Sequence, residues 1–207
     1  MTLITALDYA AVLVFALSGA LAASRAQLDP VGFIFIATLT GVGGGTLRDL
    51  LLARGHVFWV ERPEFIVISA AAAMVVFFSA HLLESRYRAL LWLDALALGV
   101  AVPAGTGVAL DLGQGPVIVL IMGMVTGCLG GLMRDVVCNE VPLALKQSEL
   151  YVTAAFCGAG SALVALALGL PQPQSLVLAG IVTSALRAGS LVFGWSLPAY
   201  RARPPPR

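Results

Sequence analysis

The chain predicts an all-α polytopic membrane protein, with seven transmembrane helices built as two inverted three-helix repeats plus a C-terminal helix. Composition is the first observation behind this: 59% of the 207 residues are hydrophobic and 11% charged, with mean hydropathy +0.96, far outside the usual soluble range. The second is a series of apolar runs long enough to cross a hydrocarbon core of about 30 Å, near 3–23, 31–52, 65–83, 89–110, 116–138, 150–169 and 176–196. The third is an internal duplication, because GVGGGTLRD at 41–49 returns 86 residues later as GCLGGLMRD at 127–135. At the same offset Leu7 and Asp8 fall on Leu93 and Asp94, Gly19 on Gly105, Pro30 and Val31 on Pro116 and Val117, and Thr40 on Thr126. Three runs per copy is an odd number, so the second copy enters the membrane from the opposite side. The expected units are 1–85, 86–172, a seventh helix at 173–198 and a disordered basic tail at 199–207.

Each segment has its own grounds. Met1 to Ala23 lacks the basic start of a signal peptide and reads as the first span, with Asp8 one or two turns inside it. Segment two follows Pro30, a good first-turn residue, and reaches the bilayer middle near Thr40 and Gly41. Segment three is featureless apolar sequence. Segment four carries Asp94 and then Pro103, Gly105, Thr106 and Gly107, where a bend is expected. Segment five repeats segment two, segment six is apolar, and segment seven holds Arg187 mid-span. Pro204, Pro205 and Pro206 prevent the tail from continuing a helix.

Basic residues orient the whole. One side collects Arg25, Arg86, Arg88, Lys146, Arg201, Arg203 and Arg207, the other Arg54 and Arg62. The N-terminus is therefore expected outside and the C-terminus in the cytoplasm. A net charge of +1 offers no footprint for nucleic acid. Cys128, Cys138 and Cys157 match no zinc or disulfide spacing and read as packing residues.

Gly43, Gly44 and Gly45, and Gly130 and Gly131 of the second copy, fall near the midplane. Clustered glycines permit a helix to bend or unwind, and irregular backbone at that depth is tolerated where protein or a water-filled cavity meets it. Freed carbonyls, with the hydroxyls of Thr46 and Thr126, would then serve a cation. The competing reading is close helix packing at four-residue spacing. The dyads Arg48–Asp49 and Arg134–Asp135, about 27 Å along their helices from Pro30 and Pro116, tip the balance toward a pathway, since packing needs no duplicated charges. Asp8 and Asp94 would attract cations at opposite mouths or serve the helix dipole. Arg187 needs a partner at its depth, and Asp49 or Asp135 is the natural one.

At these residues the chain resembles the bacterial branch of the trimeric intracellular cation (TRIC) channel family, also catalogued as a glycine transporter domain family. The resemblance rests on GVGGGTLRDLLL with Val57-Phe58-Trp59, on GGLMRDVVCNEVPLALKQSELY, and on Leu186-Arg187 with Trp195-Ser196-Leu197-Pro198. It implies a homotrimer in a bacterial inner membrane with a pore in each protomer, lined by kinked second and fifth membrane helices and passing monovalent cations, K⁺ above all and Na⁺ besides. The kinks would fall at Gly43 to Gly45 and at Gly130 and Gly131, with Arg48, Asp49, Arg134 and Asp135 beside the constriction and Asp8, Asp94 and Arg187 at the mouths or gate. Two departures stand out: Leu129 replaces the first glycine of the second cluster, and His56-Val57 precede Phe58 where a proline is expected.

Two functions follow from these residues. One is a monovalent cation channel, requiring no cofactor and embedded in lipid. The alternative is a secondary transporter of glycine or another small zwitterion through the same midplane site. The midplane carries no cluster of carboxylates for a coupling ion, which favours the channel. An enzyme is not expected, because His56 and His81, the two histidines, have no credible catalytic partner.

Overall fold

Among the described residues, seven apolar segments and one short turn form α-helices. The computed structural model describes residues 2–83, 85–146 and 150–198, so the expected tail at 199–207 lies outside the described residues. The helices are α1 (Leu3–Arg25), α2 (Pro30–Leu51), the single turn α3 (Phe58–Glu61), α4 (Glu64–Ser79), α5 (Arg86–Asp111), α6 (Pro116–Val137), α7 (Val152–Ala167) and α8 (Gln172–Phe193). Six are long and apolar enough to cross a membrane, α4 by continuing to Leu82, while α7 is apolar but has 16 residues.

Local chemistry sets the boundaries. The Asp29 carboxylate accepts from the Gly32 amide at 2.7 Å with Pro30 opening the first turn, so α2 starts where an N-cap and a proline agree. Left-handed residues follow α1, α2, α5 and α6, and they recur at the duplication offset: Gln27 (φ 54°) with Gly113 (65°), and Ala53 (50°) with Asn139 (55°). In each case the next amide reaches back to a carbonyl five residues earlier, as in Leu28 to Ala23, Gln114 to Ala109, Arg54 to Asp49 and Glu140 to Asp135. The repeat is thus visible in the backbone as well as in residue identity.

α1 packs on α5 and α2 on α6, so the two copies interleave, and α8 covers α5 and α7. Much of the shared core is alanine, including Ala16, Ala20, Ala23, Ala37 and Ala73. Small side chains let the backbones approach, which is how helices gain contact where lipid removes the hydrophobic incentive.

The glycine clusters differ from expectation in one respect. α2 and α6 run as continuous helices through Gly43, Gly44 and Gly45 and through Gly130 and Gly131, and α5 runs unbroken through Pro103. The glycines serve a close crossing instead of an unwound stretch. A Cβ on Gly44 would strike the Thr126 carbonyl oxygen, and one on Gly130 the Thr40 carbonyl oxygen, so α2 and α6 touch backbone to backbone at two equivalent points. Thr40 and Thr126 in turn donate to the Ile36 and Met122 carbonyls of their own helices at 2.6 and 2.7 Å, which keeps those turns helical.

Gly44→Ala and Gly130→Ala should each cost roughly 1–3 kcal/mol by overpacking, read as a lowered thermal unfolding midpoint in detergent. Gly55→Ala, where an added Cβ meets nothing within 4 Å, should leave that midpoint unchanged.

Candidate functional site

Helix α2 carries Arg48 and Asp49 into the interior on its last full turn, where neither has exposed surface. Arg48 Nε donates to Asp49 Oδ1 at 2.8 Å and Nη1 donates to Asp8 Oδ1 of α1 at 2.9 Å. The other Asp49 oxygen accepts from the Phe58 amide at 2.8 Å, and Arg54 Nη1 donates to Asp49 Oδ1 at 3.0 Å. The dyad therefore does two jobs. It neutralises a guanidinium that water does not reach, and it ties the loop after α2 into place, which explains the unexpected turn α3 beginning at Phe58.

Helix α6 repeats the construction. Arg134 Nε donates to Asp135 Oδ1 at 2.8 Å, and its two terminal nitrogens grip Asp94 of α5 at 2.7 and 2.9 Å. Nη1 also donates to Ser18 Oγ at 2.9 Å, and Asp135 Oδ2 accepts from the Leu143 amide at 2.8 Å. Asp8 and Asp94 are thus ligands of the dyad arginines, a pairing the sequence reading missed. The signal was present, because each Asp precedes its Arg by 40 residues.

The clusters are not equally sealed. The Asp94 side chain is fully buried, whereas that of Asp8 keeps 14% of its surface exposed. Asp8 faces a vestibule of about 210 Å³ with Arg54, Phe58, Glu61, Arg62 and Asp111 among its lining residues. Beyond Asp8 and Phe58 a void of about 10 Å³, room for one water, is bounded by Gly41, Gly44, Gly45 and Thr126. It ends at the glycine crossing. At the opposite end Arg25 and Glu140 form a two-pronged ion pair at 3.0 and 3.2 Å, and Arg25 and Lys146 both lie over the Tyr87 ring.

The remaining expected residues fall around these clusters. Thr46 donates to the Val42 carbonyl and accepts from Trp59 Nε1, at 2.7 and 2.9 Å. Gly43 abuts Met133, Gly45 abuts Phe58, and Gly131 abuts the Tyr151 hydroxyl. Arg187 was expected to pair with Asp49 or Asp135. Those carboxylates are taken by the dyad arginines, by Arg54 and by loop amides, while the Arg187 guanidinium lies 5.0 Å from the centroid of the buried Tyr151 ring. Tyr151 and Phe58, which cover the two glycine clusters, are apolar in pattern and gave no sign of this placement.

Comparison with known proteins decides the family. The family model described as "Glycine transporter" matches twice, over residues 5–81 and 91–167, two stretches separated by the same 86 residues. The chain belongs to this family. Its relatives include the UPF0126 inner membrane protein YadS of Escherichia coli K12, 34% identical over 199 residues and covering 94% of each chain. A UPF0126 membrane protein of Vibrio cholerae is 36% identical over 205 residues, covering 96% of this chain and 83% of that one. Among solved structures, the TRIC trimeric intracellular cation channel orthologue from Rhodobacter sphaeroides superposes with a TM-score of 0.90 at 42% identity, over 94% of this chain and 100% of that one. A second structure, described in terms of conductance through TRIC cation channels, gives 0.86 at 28% identity over 97% and 98%. The chain is an all-helical membrane protein with the TRIC channel fold.

Asp94→Asn leaves the sealed Arg134 with one carboxylate and should destabilise by roughly 3–5 kcal/mol, measured by thermal unfolding in detergent. Asp8→Asn, beside a vestibule that admits water to Arg48's partner, should cost clearly less.

Proposed function

We propose that the chain is a monovalent cation channel, conducting K⁺ and to a lesser degree Na⁺, with one pathway in each protomer of a homotrimer. The carrying observation is the vestibule that narrows past Asp8 and Phe58 to the crossing of α2 and α6. The likeness to TRIC cation channels at 42% and 28% identity supports it. In this reading residues 1–85 and 86–172 are inverted three-helix repeats, 173–198 is an appended helix, and the pathway follows their pseudo-two-fold axis. Gly43, Gly44, Gly45, Gly130 and Gly131 thin the wall between two half-channels, with Thr46 and Thr126 beside them. Opening separates the Thr40 and Thr126 carbonyls enough to admit an ion. The dyads Arg48–Asp49 and Arg134–Asp135 hold the two helices at that separation, Asp8 and Asp94 anchor the arginines, and Arg187 braces the second cluster through Tyr151. The distribution of basic residues supports a cytoplasmic Arg25, Arg86 and Lys146 end, and in this reading the vestibule opens outward.

A second reading is a secondary transporter of glycine or another small zwitterion. It is favoured by the description of the family model and by a cavity that narrows from one end toward the glycine crossing, an arrangement compatible with alternating access.

Planar-bilayer recording of the purified protein under a KCl gradient separates the two. Single-channel steps reversing near the K⁺ potential are expected. A silent bilayer together with saturable glycine uptake into proteoliposomes would establish the transporter instead. In the channel, Glu61→Gln, an exposed vestibule position, should lower cation current entering from that side at 0.01 M salt, where the Debye length is about 30 Å, and have little effect at 1 M, where it is about 3 Å.

A further inference from the structure

The duplication also relates four charges that are not members of the Arg48–Asp49 and Arg134–Asp135 dyads. At the 86-residue offset Arg25 corresponds to Asp111 and Arg54 to Glu140. Exchange of α1 with α5 and of α2 with α6 therefore turns the pair Arg25–Glu140 into the pair Asp111–Arg54, with both signs reversed and the attraction kept. The first pair is formed, with Nη2 of Arg25 3.0 Å from Glu140 Oε1. Arg54 and Asp111 line the same vestibule but are held by others: Arg54 by Asp49 at 3.0 Å, and Asp111 by the Gln172 amide of α8 at 2.8 Å.

We infer that Arg54 is a two-position arm: it leaves Asp49 for Asp111 to close the vestibule in a state that alternates with the one latched by Arg25 and Glu140. The inference rests on the proposed pathway through the vestibule. Three features carry it. Arg54 has an acidic partner in either position, whereas its counterpart Glu140 is repelled by Asp135 and has its attraction across the repeats. The formed pair is partly exposed, at 29% and 35% of its side-chain surface, and Arg54 is similarly exposed at 32%. Exposed pairs are worth only about 0–1 kcal/mol, so neither latch locks the molecule and a small bias exchanges them. Gln172 makes α8 part of the device, since its amide competes with Arg54 for Asp111.

The test uses the full chain in native membranes with Cys128, Cys138 and Cys157 replaced by Ser. Gly55→Cys/Leu112→Cys, which flanks the arm and leaves Arg54, Asp111 and Gln172 in place, is treated with a short bifunctional thiosulfonate, and Arg25→Cys/Glu140→Cys, in contact in this structure, is treated in parallel. Adding Glu140→Gln should raise the rate of 55–112 cross-linking by up to about fivefold, equivalent to ~1 kcal/mol. Gln172→Ala should raise it in the same direction, and Asp111→Asn, which removes the second partner of Arg54, should lower it. The inference is overturned if the 55–112 pair fails to cross-link in every background while 25–140 cross-links, if its rate ignores Glu140→Gln and Asp111→Asn, or if neither pair cross-links. Should the cross-links respond as expected in a protein that is silent in the bilayer, the arm stands and the channel reading falls to the transporter.

Discussion

Two of the three guanidinium groups that have no exposed surface among the described residues, those of Arg48 and Arg134, impose the condition from which the rest of this architecture follows. An arginine cannot shed its proton, so each must be neutralised where it sits, and an uncompensated charge in that setting would be ruinous for folding. Arg48 and Arg134 meet the condition with one carboxylate from the next residue and one from a neighbouring helix, Asp8 on α1 and Asp94 on α5. Charge balance thereby specifies which helices are neighbours. The spare oxygens of Asp49 and Asp135 then accept the Phe58 and Leu143 amides, so the same carboxylates that neutralise the arginines also fold the loops after α2 and α6.

The glycine crossing and the ion clusters are complementary. Backbone contact between α2 and α6 at Gly44–Thr126 and Gly130–Thr40 leaves no side chain between the two backbones at those two points, so van der Waals fit sets how closely they approach there. The fasteners sit a turn away, at the clusters, and those are unequal. Arg134 has both oxygens of Asp94 and the Ser18 hydroxyl, while Arg48 has one oxygen of an Asp8 that faces the vestibule. The less fully fastened end is the one with the cavity.

Much of this was legible because duplication doubles every signal. Helix positions, the offset of 86 residues and the importance of the Gly-Gly-x-x-Arg-Asp stretches could all be read from residue identity, since only Gly, Pro and charge stand out in so apolar a chain. What could not be read was which backbone meets the glycines. A missing Cβ is equally consistent with an unwound helix and with a close neighbour, and only the position of the Thr40 and Thr126 carbonyls distinguishes them. The contacts of Tyr151 and Phe58 were hidden for a related reason, because an aromatic in an apolar run carries no mark of the charge or glycine it will cover. The pairing of Asp8 with Arg48 and of Asp94 with Arg134 was available in the equal 40-residue separations, yet spacing in sequence becomes a contact only when the helix order is known.

The same bookkeeping of formal charge bears on how a field acts on an ion in transit. With Arg54 on Asp49, the first cluster holds two carboxylates, Asp8 and Asp49, against two guanidinium groups, Arg48 and Arg54, and is neutral. The second holds Asp94 and Asp135 against Arg134, with the buried Arg187 guanidinium 5.0 Å from the ring centroid of the adjoining Tyr151, and is balanced once Arg187 is counted. Moving Arg54 to Asp111 would leave the first cluster with one net negative charge and cancel Asp111 at the mouth. If a cation reaches the first cluster, a side chain that closes the mouth would at the same time deepen the well behind it, so that occupancy of the cluster and closure of the vestibule would be thermodynamically linked, each favouring the other by the same coupling free energy.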